Sequence, residues 1–296
     1  MRDGIAPSRV YLPPGPWKTV LDYLADHYSH LPDGLIRQRL ERGEIIATDG
    51  HTINVDTPYR AHQWLWYYRR VLNEPDVPFA LPVLYADHYI IAVDKPHFLA
   101  TMPAGRYLRE TVLTRLRRHY ESPDITPIHR LDRDTAGVLI LSRVPDGRAA
   151  YQVLFQDRRV EKVYEAVAPY DARFEQEVIH RSHLTAGEGF LMQETRAEPN
   201  SETRIKILRQ LPRGQALYQL IPVSGRKHQL RVHMAALGIP IVNDNLYPQL
   251  QPQRPADDFS DPLQLLARTL AFVDPITGED RTFSSHQQLA LATPPE

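Results

Sequence analysis

Apolar positions along the chain change period several times, and each change marks an element. From Trp17 to Tyr28 they recur at helical spacing, with Trp17, Val20, Leu21 and Leu24 on one face. Leu35 to Arg42 reads as a second helix, which carries Arg37, Arg39 and Arg42 and is stopped by Gly43. The period then shortens. Glu44 to Ala47 and Thr52 to Val55 flank Asp49-Gly50, a hairpin signal, and Trp64 to Tyr68 reads as a further strand. Residues 1–16 are Pro-rich and expected to be extended. Asn73 to Pro78 interrupts both periods with two prolines and polar residues. This places a small N-terminal domain at 1–72, a linker at 73–81 and the main domain at 82–296.

The main domain opens with a strand, a short turn and a strand from Pro82 to Asp94, stopped by Lys95-Pro96. Asp94 and Lys95 read equally as a structural turn or as functional groups. Leu108 to Tyr120 is amphipathic at helical spacing, with Val112, Leu113 and Leu116 opposite its arginines. Val138 to Leu141 is a continuous apolar run and reads as a buried strand. Arg148 to Gln156 reads as a helix. Alternation from Arg159 to Val167 puts Val160, Lys162, Tyr164 and Ala166 on one side of a strand. Residues 172–203 are polar and acidic, and their strands are placed only loosely. Ala216 to Pro222 is a strand, running into the polar stretch Val223 to Met234.

Composition adds little to the fold and more to the partner. Apolar residues make up 42% and charged residues 24%, which is ordinary for a globular protein. There are no cysteines, which excludes disulfides and thiolate zinc sites. No apolar run has membrane-spanning length, and the first residues lack the apolar core of a signal peptide. A cytoplasmic protein with no membrane partner is expected, and a monomer. The formal net charge is −1, from 35 Lys and Arg against 36 Asp and Glu. Contact with a nucleic acid would therefore rest on local clusters rather than a global field. Such clusters stand at Arg115, Arg117, Arg118 and His119, at Arg158, Arg159 and Lys162, and at Arg226, Lys227, His228 and Arg231.

The densest chemistry lies just before the apolar run. His129 to Gly137 reads HRLDRDTAG, a carboxylate flanked by arginines on a loop held by a buried strand. Loops on rigid scaffolds commonly carry catalytic groups. Gly137 allows the close approach or positive φ that such a junction needs. The string resembles the signature loop of the RluA-type pseudouridine synthases, HRLDxxTSG, with Ala136 in place of Ser. Arg159 to Ala166 resembles the family's R-x-x-K-x-Y-x-A strand. Gly225 to His233 and Gly238 to Asp244 resemble TGRxHQ(I/L)RVH and GhPhhGD, with Ser224 for Thr and Asn243 for Gly. The last segment resembles L-H-A and F-x-H-P-x-T-G-E, with Leu266 and Asp274 where the family has histidines. The N-terminal order of elements is similar to an S-four-type RNA-binding domain.

The resemblance implies an α+β fold with a central, mostly antiparallel mixed sheet and flanking helices. It implies RNA, ribosomal or transfer, as partner, and conversion of uridine to pseudouridine. The base leaves the ribose, turns, and rejoins through a carbon, so atoms are conserved and no redox or nucleotide cofactor is required. The chain shows no dinucleotide or phosphate-loop motif and no metal-ligand spacing, and no cofactor or metal is expected. Asp132 is the implied catalytic residue, either attacking the anomeric carbon or removing a neighbouring sugar proton. Arg231 is the implied partner, because a close guanidinium favours an ionised carboxylate and orients it. Tyr164 could stack on the detached uracil or act as a base at its carbon. Arg130 would fill the space left by an extruded uridine. His129, Arg133, Lys162, Arg226, Lys227, His228 and Gln229 complete the expected RNA contacts, while His228 and His233 would support the loop rather than bind metal. Two rival readings are a non-catalytic RNA-binding or ribosome-assembly factor, and a glycoside hydrolase using Asp132 and Asp134. The latter needs two carboxylates facing across one bond.

Overall fold

The computed structural model describes residues 1–71, 73–252 and 254–292. The chain forms two compact units, Met1–Asn73 and a larger one from Glu74 onwards. No described helix is long and apolar enough to cross a membrane.

The first unit contains β1 (Ser8–Leu12), α1 (Val20–His27), α2 (Leu35–Glu41), β2 (Ile45–Ala47) and β3 (Gln63–Tyr67). The strands form an antiparallel sheet in the order β1-β3-β2. Thr19 and Asp22 start α1 with a reciprocal capping box. One sheet face, with Val10, Leu12, Ile45, Ala47 and Leu65, packs with Val20, Tyr23, Leu24 and Leu40 of the helices. Two expectations differ here. Part of the Pro-rich start is the paired strand β1, because Val10 and Leu12 complete this core. The second arm of the expected hairpin is not a strand. Only Thr52 bridges to Ile46, and the Asn54 side chain accepts from the Asp56 amide and the Thr57 hydroxyl, a turn that competes with the ladder.

The expected linker also differs from the structure. Glu74 is buried, and its carboxylate accepts the backbone N–H groups of Leu108, Arg109 and Glu110. Val77 is buried, and the Arg115 guanidinium donates to the carbonyls of Val77 and Phe79. Prolines and polarity read as a tether, but these groups fasten residues 74–79 into the second unit. Arg115 is thereby spent on structure, as is Arg117, whose Nε donates to the Ile125 carbonyl.

The second unit runs β4 (Val83–Ala86), β5 (Ile90–Lys95), α3 (Val112–His119), β6 (Thr126–Pro127), β7 (Ala136–Ser142), α4 (Arg148–Gln156) and β8 (Glu161–Pro169). It continues with β9 (Val178–Ala186), β10 (Met192–Thr195), β11 (Ser201–Leu211), β12 (Gln215–Pro222), α5 (Gln229–Ala236), β13 (Leu265–Val273) and β14 (Asp280–Ser284). One large sheet follows the order β10-β9-β11-β12-β8-β13-β7-β5-β4, with β14 on β13 and β6 on β7. Every pairing is antiparallel except β7 with β13. The α+β class with a mixed, mostly antiparallel sheet is thus as the motifs imply.

The apolar run of β7 is explained by its neighbours. Leu139 and Leu141 pack with Val112, Leu113 and Leu116 of α3, whereas Val138 and Ile140 pack with Tyr151 and Leu154 of α4. A strand covered on both faces has no polar alternation. At its start, Gly137 has φ +111°, and a Cβ there would lie 2.2 Å from the Ala267 carbonyl oxygen of β13. The catalytic-loop candidate therefore hangs from a rigid, doubly buried strand at its parallel junction with β13.

Candidate active site

Residues Arg130 to Thr135 form the loop between β6 and β7, and its backbone is clamped at three points. The Thr101 hydroxyl donates to the Leu131 carbonyl at 2.7 Å and accepts the Leu131 N–H at 3.2 Å. The His97 ring contacts the Asp134 carbonyl at 2.6 Å. Lys95 lies fully buried beneath, with Nζ donating to the carbonyls of Pro96, Leu99 and Arg133 at 3.0, 2.8 and 3.0 Å. Burial lowers its pKa to about 7, against the pull of Asp134 and Asp132. Asp94 accepts from Ser285, His286 and Gln287. Lys95 thus forms the floor of the loop, while Asp94 ties the end of β5 to residues 285–287.

Asp132 emerges into a cleft also lined by Arg130, Lys162, Tyr164, Arg226, Lys227, His228, Gln229 and Arg231. The signature loop, β8 and the start of α5 meet there. Arg231 Nη1 is 3.5 Å from Asp132 Oδ2. Its tighter partner is Asp244, reached by Nε at 2.8 Å and Nη2 at 2.5 Å. Asp244 also accepts the backbone N–H groups of Leu246 and Tyr247. Burial opposes the charge of Arg231, but the hydrogen-bonded Asp244 carboxylate more than offsets it, so its pKa lies above the ordinary value. The guanidinium is therefore a fixed cation whose remaining edge faces Asp132.

His228 is the other neighbour, with Nε2 3.9 Å from Asp132 Oδ1. Its Nδ1 lies 2.8 Å from the Tyr247 hydroxyl, which already accepts the Met192 N–H. The Tyr247 hydroxyl thus anchors the ring with Nε2 facing Asp132. Burial keeps His228 below its usual pKa despite the nearby Asp132. Tyr164 projects from β8, and burial followed by the charge of Asp132 raises its phenol well above the usual range. It is a neutral hydrogen-bonding group. Lys162 Nζ donates to the Ser224 carbonyl at 3.1 Å, and burial followed by Arg158 lowers its pKa to about 8.

Three expected RNA-contact residues do other work. His129 is outside the cleft lining; its Nε2 accepts the Ile140 N–H at 3.0 Å, and its ring stacks on Phe155. Burial and the charge of Lys162 lower its pKa to about 3, so it remains a neutral acceptor. Arg133 also turns away from the lining, bonding Asp134 Oδ1 at 2.9 Å and lying over Phe98 and Tyr107. Gln229 lines the cleft but its amide is spent: Oε1 accepts from Ser224 and Arg226, and Nε2 donates to Glu202 and Thr203. It shapes the loop. Sequence adjacency suggested contact in all three cases; the side chains of His129 and Arg133 lie outside the cleft lining, and the Gln229 amide is bonded within its own surroundings.

Asp134 is likewise outside the lining, in which Asp132 is the only carboxylate among the described residues. That geometry removes support from the glycoside hydrolase reading. The motif departures fall on scaffold. Leu266 is fully buried opposite Ala136, and Asp274 accepts from Tyr151, Ile276 and Thr277. Asn243 adopts the φ of +62° that a glycine would tolerate, and the Ser224 hydroxyl keeps the Gln229 bond. Asp244, to which the motifs assigned no role, holds the Arg231 guanidinium in the cleft. Its place six residues after Gly238, in a motif beside the Arg231 motif, was the available signal.

A fold built on this sheet, with one carboxylate between a guanidinium and a phenol in a basic cleft, defines an RNA-modifying isomerase class when set beside known proteins. A sequence profile for RNA pseudouridylate synthase matches residues 88–236. An uncharacterised RNA pseudouridine synthase of Synechocystis sp. is 32% identical over 77% of this chain and 79% of its own length. The dual-specificity RNA pseudouridine synthase RluA of Haemophilus influenzae is 30% identical over 72% of this chain and 95% of its own. The structure of human RNA pseudouridylate synthase domain containing 4 superposes with a TM-score of 0.54 at 25% identity, covering 70% of this chain and 88% of that one. The chain belongs to the RNA pseudouridylate synthase family and is an isomerase acting on RNA.

Proposed function

We propose that this enzyme converts particular uridines of structured ribosomal or transfer RNA to pseudouridine, with Asp132 as its catalytic carboxylate. The convergence of Asp132, Tyr164 and Arg231 on one cleft carries the reading. In the reaction the bond from ribose C1′ to the base nitrogen breaks. A bond from C1′ to a base carbon forms, and the proton on that carbon is lost while the nitrogen regains one. Asp132 acts at the sugar, and Arg231, held by Asp244, stabilises and orients it. Tyr164 faces the detached base and keeps it from leaving. A paired uridine cannot offer C1′ to a carboxylate, so the target is turned out of its stem at a cost of a few kcal/mol. Exposed Arg130 fills the vacated space, while Lys162, Arg226 and Lys227 hold phosphates without reading sequence.

The test is to incubate purified protein with total cellular RNA and map pseudouridine against untreated RNA. Discrete new sites in ribosomal or transfer RNA are expected, each with release of the proton from the joining base carbon. Unchanged RNA, bound but unmodified, would move the protein to the non-catalytic binding class.

A further inference from the structure

The catalytic cleft leaves the open face of the N-terminal sheet unused. Alternation sends Val10, Leu12, Ile45, Ala47 and Leu65 into the core with α1 and α2. The opposite face carries Arg9, Tyr11, Ile46, Trp64 and Trp66. Register places Tyr11 across from Trp64, and both Arg9 and Ile46 across from Trp66. Tyr11 and Trp64 are each 37% exposed and Ile46 39%. A solvated sheet face ordinarily alternates to polar side chains. A contiguous aromatic patch in that position marks an interaction site.

The chemistry of the patch selects the partner. The Tyr11 and Trp64 rings lie 5.1 Å apart. The Arg9 guanidinium sits 4.3 Å from the Trp64 ring centre and 5.7 Å from that of Trp66. Arg9 is the sole charged residue in β1, β2 and β3, so no carboxylate of these strands repels a phosphate. Trp64 and Trp66 are two residues apart on one strand, about 6.7 Å, which gives each ring its own base. Aromatic rings with an interleaved cation accept single-stranded nucleic acid by stacking, with little dependence on sequence.

We propose that this face binds unpaired RNA, with bases stacked on Trp64, Trp66 and Tyr11 and a backbone phosphate against Arg9. The proposal rests on the family's action on RNA and not on the assignment of Asp132. The enzyme would grip a loop or single-stranded flank of its substrate here.

Intrinsic fluorescence tests this directly, since all three tryptophans, Trp17, Trp64 and Trp66, lie in the first unit. Full-length Asp132→Asn protein is titrated with an unpaired oligouridylate and with a duplex of equal length, which separates this contact from catalysis. Saturable quenching by the single strand, and weaker response to the duplex, is expected. Trp64→Ala should raise the dissociation constant by about five- to 150-fold, since a stacked base contributes about 1–3 kcal/mol. Trp64→Phe, which keeps a ring in the sheet, should retain most of the affinity while losing much of the quench. Quenching in Trp64→Phe and Trp66→Phe variants equal to that of the parent Asp132→Asn protein, or equal affinity for duplex, overturns the proposal. So does shielding of the tryptophans by rising protein concentration alone, which would assign the face to a second copy.

Discussion

At the scale of single residues, Arg231 is divided between two carboxylates unequally. It is locked to Asp244, whose side chain is 1% exposed, and only approaches Asp132. This is what a positioning cation needs, because a guanidinium fixed elsewhere costs nothing to reorganise during reaction. Asp244→Asn keeps the shape and removes the charge. Breaking one side of a buried pair costs about 3–5 kcal/mol of stability. Turnover at saturating RNA should fall about a hundredfold, the scale of loss from a small misplacement, with a smaller rise in KM. A variant with wild-type kcat would make Asp244 merely structural. Lys162 gives a pH signature. Its pKa is lowered to about 8, so the ammonium is present below that value and lost above it. RNA affinity measured from pH 7 to 9 should therefore weaken, and Lys162→Arg, which stays charged, should flatten the profile. An unchanged slope in that variant would release Lys162 from phosphate binding.

At the scale of elements, β7 does most to place the chemistry. Packing on α3 and α4 fixes it on both faces, and Gly137 lets it cross β13 at backbone contact. Gly137→Ala puts a methyl into the Ala267 carbonyl and disfavours the φ of +111°. Chemical denaturation should show a loss of at least about 2 kcal/mol, with activity falling further than stability explains. Wild-type stability would show that the Gly137–Ala267 junction can open to admit a methyl group. This element was legible because its apolar run is unbroken and its glycine sits at the end. The helix α5 was not. Gln229 through Met234 are all buried, so polar and apolar residues alike face inward and no amphipathic stripe is left to read. The strand β1 was hidden by prolines on either side of it. The signature loop pointed to Asp132, but its neighbours His129 and Arg133 bond the scaffold, whereas Asp244, over a hundred residues away, is what holds Arg231 beside Asp132. Local order shows which residues travel together, and only the tertiary fold shows which of them face one another.

At the scale of the whole molecule, the near-neutral charge and the RNA substrate are reconciled by placement. The cleft gathers Arg130, Lys162, Arg226, Lys227 and Arg231 around one acid, while Arg115, Arg117 and Arg133 are consumed internally. One group of side chains among the described residues, His180, Glu194 and His233, brings metal-ligating atoms within 4.8 Å of one another. These side chains are also joined by hydrogen bonds. His180 bonds Glu194 at 2.7 Å, and both nitrogens of His233 meet serine or threonine hydroxyls. In the cleft the chain's own groups supply a carboxylate, a fixed cation, a neutral phenol and a basic rim.

The most direct measurement compares wild type with Asp132→Asn in single turnover on an RNA that the enzyme modifies, with affinity measured in the same samples. Unchanged RNA binding is expected, with a product rate lower by at least about 10⁴-fold, the scale seen when a central catalytic group is removed. Turnover within about a hundredfold of wild type, or loss of product only in step with loss of binding, would contradict a catalytic role for Asp132.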